Sequence, residues 1–86
     1  MTDRPLHLYM TMSEMFSDHL SATGAYPEKF ILSTVLHRQY LRDWVLMRQM
    51  VTTRIDPTHH MGVSIEISDT TVSIMVASDG TEVALP

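Results

Sequence analysis

Apolar and polar residues alternate strictly along Val63-Ser64-Ile65-Glu66-Ile67-Ser68, a period of two that predicts a half-buried β-strand. Val72, Ile74 and Val76 repeat the pattern against Ser73, Met75 and Ala77, and Val83 and Leu85 repeat it against Glu82 and Ala84. Ser78-Asp79-Gly80 reads as the turn between the last two runs, with glycine free to take a positive φ. Together they predict a three-stranded antiparallel β-meander over about residues 62–86. Its apolar face wants a cover of helices and its polar face wants water.

Upstream, the period lengthens to that of a helix. Met12, Met15, Phe16, His19 and Leu20 fall on one side, and Gly24 supplies a stop, so a helix is expected from about Met12 to Ala22. Thr11-Met12-Ser13-Glu14 has the form of a capping box at its start. Before it, Leu6, Leu8 and Met10 alternate with His7 and Tyr9, which suggests an extra N-terminal strand.

A second helix carries Leu36, Tyr40, Trp44, Met47 and Val51 on one apolar stripe, with Leu41 and Val45 on a different face. A helix with two apolar faces needs more than one neighbour. Pro27 suits its first position, because the missing amide hydrogen costs nothing there. That start places Lys29 and Ser33 on the apolar stripe, and the competing reading makes Phe30-Ile31-Leu32 a short strand with Ser33 or Thr34 as the cap. The single helix from Pro27 is the reading adopted. Asp56-Pro57 closes the helical half, which spans about residues 11–54. The expected architecture is one α+β domain over 1–86, with two helices packed on one face of the meander.

Composition narrows the function classes. A chain of 86 residues holds one core, and without cysteine it has no disulfide or thiolate cluster to reinforce it. A net charge of −4 argues against a nucleic-acid partner, since phosphate recognition needs a concentrated positive field. The longest apolar run, Trp44-Val45-Leu46-Met47, is far too short for a bilayer, so a cytoplasmic protein with no membrane partner is expected. The eight methionines suit adaptable contact surfaces. Short, acidic, methionine-rich chains of this kind occur among small phage and mobile-element proteins, a likeness of composition alone.

Little in the chain speaks for catalysis. There is no G-x-S-x-G elbow, no cysteine nucleophile and no glycine-rich phosphate cradle. Glu14 and Asp18, one helical turn apart, read as a solvated charge pair. His59-His60, near Asp56, is the best metal-ligand candidate, but a site needs at least three convergent ligands, and adjacent imidazoles do not share a face. A solvated loop is the plainer reading of both. Arg38 and Arg42 stand one turn apart on the long helix, with Arg48 and Arg54 beyond, as a stripe suited to an acidic protein surface.

The chain therefore reads as a non-catalytic protein-interaction module, homodimeric and without cofactor. It is expected to act as an inhibitor or adaptor by occupying a partner protein's surface. Leu41, Val45, Trp44, Met75, Arg38 and Arg42 are its expected interface. The alternatives are a structural component of a larger assembly such as a virion, pairing through the Thr81–Leu85 edge, and a metal-binding protein using His59 and His60.

Overall fold

The computed structural model describes residues 7–50, 58–70 and 72–85. Their order is α1 (His7–Thr23), β1 (Lys29–Leu32), α2 (Thr34–Met50), β2 (His59–His60), β3 (Val63–Ile67), β4 (Ile74–Val76) and β5 (Glu82–Ala84). The expectations for Leu6, Val51, Arg54 and Asp56 lie outside the described residues. The α+β class holds, but the sheet is not a meander. It has five strands in the order β2-β3-β1-β4-β5, with β1 parallel to β3 and antiparallel to β4.

The correction comes from residues 29–32. Phe30 and Leu32 are fully buried while Lys29 and Ile31 are half-buried, the period-two pattern of an inner strand. Extending the helix back to Pro27 would have turned Lys29 and Ser33 into the core. As a strand, Lys29 instead pairs with Glu66 on the sheet face opposite the helices. Ser33 then becomes the N-cap of α2, its Oγ accepting the Leu36 amide hydrogen at 3.2 Å. Asp69 adds a carboxylate at the same helix end, taking the Thr34 amide at 2.9 Å and the Thr34 hydroxyl at 2.6 Å.

The first helix begins earlier than its capping-box signature suggests, and no N-terminal strand forms in residues 7–10. Leu8, Met12 and Phe16 lie four apart on one buried stripe, which outweighs the short alternation around Leu8 and Met10. Thr11 sits inside the helix. The early start is stabilised by α2: Asp43, only 9 % exposed, accepts the Tyr9 amide hydrogen at 3.0 Å and so satisfies a first-turn donor of α1. Asp43→Ala is expected to cost about 1–2 kcal/mol, read as a lowered denaturation midpoint in urea. Gly24 ends α1 at φ 73°, its amide donating to the Leu20 carbonyl at 2.8 Å.

Both helices contribute to one core against one sheet face. Leu8, Met12 and Phe16 from α1 and Tyr40 from α2 meet Phe30, Leu32, Val63 and Met75 from the sheet. The register puts Met75 opposite Phe30, so Met75 faces the helices, while Ile74 and Val76 take the other face beside Ile31 and Lys29. This inverts the expected parity of β4. The expected strand start at Val72 is lost as well, for Val72 is 71 % exposed. The β2–β3 hairpin turns through Met61 (φ 52°) and Gly62 (φ 86°), two positive-φ residues as a type I′ loop requires.

Candidate functional site

Two places in the fold invite a functional reading. The first is His60, which is fully buried. On a two-residue strand, successive side chains point to opposite faces, so His59 is exposed beside Thr58 while His60 enters the core. Its Nδ1 lies 3.0 Å from the Tyr40 hydroxyl of α2, and its Nε2 lies 3.1 Å from Ser13 Oγ of α1. The rings of Tyr9, Phe30 and Tyr40 stand edge-on around it at centroid distances of 4.6, 5.6 and 5.6 Å. One imidazole thus joins β2, β1 and both helices. The expected solvated loop at His59-His60 is corrected to a short strand, with His60 a buried joint and His59 exposed.

The joint's polarity follows from its hydrogen bonds. Ser13 donates its hydroxyl hydrogen to the Tyr9 carbonyl at 2.9 Å, so Ser13 Oγ accepts from His60 Nε2–H. Nδ1 is then the acceptor of the Tyr40 hydroxyl, whose other acceptor, the His59 carbonyl, is more distant at 3.4 Å. Burial pushes the His60 pKa down to about 4, which keeps the ring neutral at physiological pH. A serine beside a histidine resembles a nucleophile with its base, but here the proton runs from histidine to serine. The imidazole also has no surface for a substrate to reach. The geometry suits holding four elements together rather than moving a proton.

With His59 and His60 facing opposite ways, the two imidazoles do not converge on one ion. Among the described residues, no group of three histidine, aspartate or glutamate side chains is placed to hold a metal. His19, on α1, accepts the Ser78 amide hydrogen at 3.3 Å and ties the helix to the β4–β5 turn.

The second place is the outward side of α2. Val35 is 64 % exposed, Val45 41 % and Leu46 38 %, with Arg38 and Arg42 exposed among them. Val35, Arg38, Gln39, Leu41 and Arg42 line a shallow depression there. The sole acid of α2, Asp43, is turned inward to cap α1, so α2 itself sets arginines and no carboxylate on this face; Asp69 sits at the N-terminal end of α2, held by Thr34. Of the six expected interface residues, Leu41, Val45, Arg38 and Arg42 share it. Trp44 instead packs against the core, with the Arg48 guanidinium 5.2 Å from its ring. Met75 is corrected to a core position: it is 4 % exposed beneath α1, away from the outward side of α2.

Set against family models, curated proteins and solved structures, the chain matches none. Among the described residues, no helix is long and apolar enough to cross a membrane.

Proposed function

We propose that this protein is a small non-catalytic interaction module that docks an acidic protein surface through the outward side of α2. One observation carries the reading: three large aliphatic side chains, Val35, Val45 and Leu46, stand exposed on one helix whose outward side carries arginines and no carboxylate of its own. Scattered surface valines need no explanation, but a run of them along a helix framed by guanidinium groups has the make-up of a docking face. The apolar side chains supply area, and Arg38 and Arg42 supply orientation toward carboxylates.

The same charge pattern bears on what covers the face. Two copies meeting α2 to α2 would bring Arg38 and Arg42 of each against those of the other, with no acid of α2 on that side to pair them. Like charges facing each other at an interface cost several kcal/mol. A distinct acidic partner is therefore favoured over the homodimer expected from the apolar pattern alone.

Arg38→Glu/Arg42→Glu is the testing variant, since both side chains are exposed and its thermal midpoint should match the wild type. Immobilised wild-type protein should retain an acidic partner from its native host at low salt and release it as salt rises. The variant should retain it at least about tenfold less well. Equal capture by both proteins excludes this face. Sedimentation showing a dimer that the variant abolishes replaces the distinct partner with a second copy.

A further inference from the structure

The sheet ends in a strand that nothing described covers. β5 pairs with β4 on one side only, and Glu82, Val83 and Ala84 are all exposed. The ladder fixes which backbone groups face outward. Leu85 donates its amide to the Ser73 carbonyl at 3.0 Å, and Thr81 accepts from the Ala77 amide at 2.7 Å, so odd-numbered residues of β5 bond inward. By alternation, the amide and carbonyl of Glu82 and Ala84 face the free edge.

Val83 lies opposite Met75 and so points to the helix side of the sheet, where it is 41 % exposed. Beside it runs a groove of about 280 Å³ between α1 and the strand, lined by Met15, Asp18, His19, Met75 and Val83. Edge and groove are strongly one-signed. Asp18 lies in the groove, Glu82 on the strand and Asp79 in the turn before it, and neither α1 nor β5 contains a lysine or arginine.

We propose that β5 accepts an extended segment of a partner protein as a sixth strand, with an apolar residue in the groove and basic residues on either side of it. The parity selects this pattern. A residue opposite Val83 turns its side chain to the helix side, over Met15 and Val83. Its two neighbours turn to the other face, beside Glu82 and Ala84, where a cation meets the glutamate across the strands. Two copies of this chain pairing edge to edge would instead add their acids together. This site is separate from the α2 face, so an adaptor with one basic and one acidic docking surface follows.

A fluorescent peptide alternating lysine and valine is the probe, followed by anisotropy at low salt. Ala84→Pro removes one outward amide, a change an edge strand tolerates on its free side, and its thermal midpoint checks the fold. Binding should weaken at least tenfold in Ala84→Pro and in Glu82→Lys, and should be unchanged in Arg38→Glu/Arg42→Glu. A peptide N-methylated on the amides that would face β5 should not bind, which keeps the test decisive if the proline variant misfolds. The proposal is overturned by equal affinity for Ala84→Pro or for the methylated peptide. It is equally overturned by equal affinity for a glutamate–valine peptide, or by no binding at about 1 mM. Sedimentation showing a dimer that Ala84→Pro dissociates also overturns it, in favour of self-pairing.

Discussion

Acidifying the protein from pH 7 to pH 4 is expected to remove about 3 kcal/mol of unfolding free energy through His60 alone. The buried ring has a pKa of about 4 in the fold and the ordinary 6.5 once unfolded. Between those values the unfolded chain binds a proton that the folded one does not, so stability rises with pH by about 1.4 kcal/mol per unit. The contribution is complete above pH 6.5 and lost as pH falls toward 4.

Asp69 and Asp79 act in a lower window. Hydrogen bonds from Thr34 and Thr81 hold their carboxyl groups below the usual 3.8, so their share disappears only under more acid conditions. For a domain of this size, whose whole stability is of order 5–15 kcal/mol, the His60 loss is large. Urea denaturation at successive pH values measures it. His60→Gln keeps a donor and an acceptor but does not titrate, and it should flatten the slope between pH 4 and 6.5. A slope equal to that of the wild type would show that the imidazole is already solvated in the fold.

Phe30→Ala is expected to be the costliest single truncation in the chain, at about 3–5 kcal/mol. Phe30 is fully buried on the central strand, flanked by Ile65 on one side and Met75 on the other. Its ring also forms one wall around His60, at 5.6 Å. Removing it leaves a cavity where the sheet, α1 and the histidine joint meet, and the inner strand cannot shift to fill it without breaking two ladders. The urea midpoint should fall steeply with the m-value unchanged. Val35→Ala, a truncation of an exposed side chain, should stay within about 0.5 kcal/mol of the wild type. A Phe30→Ala midpoint equal to that of Val35→Ala would mean that residues 29–32 are not the centre of the sheet.

The strands with clean alternation were readable from the chain, because period two around Val63–Ile67 and near Val83 has no helical counterpart. So was the inward stripe of α2, where Tyr40 is buried and Leu36 and Trp44 pack half-buried against the core. Sheet order was not readable, since it depends on β1, a four-residue run of mostly apolar residues whose periodicity fits a strand and a buried helix equally well. Its placement between β3 and β4 is a tertiary choice, and it carried the facing of Met75 with it. The His60 joint was hidden by its turn. Type I′ loops announce themselves with Asn-Gly or Gly-Gly, and here methionine takes the first positive-φ position. With no hairpin in view, adjacent histidines looked like a loop. The outward side of α2 was legible in part: Arg38, Arg42 and Val45 were anticipated there, whereas Val35 and Leu46 were not.

The central position of β1 has a bearing on how the molecule is made. Phe30 finds its neighbours Ile65 and Met75 only 35 and 45 positions further along. On a ribosome, Phe30-Ile31-Leu32 emerges long before anything that can pair with it, and the two helices alone cannot hide it. Until β3 and then β4 arrive, the strand that becomes the centre of the sheet has two open sides, a period of exposure that folds built from short-range contacts largely avoid.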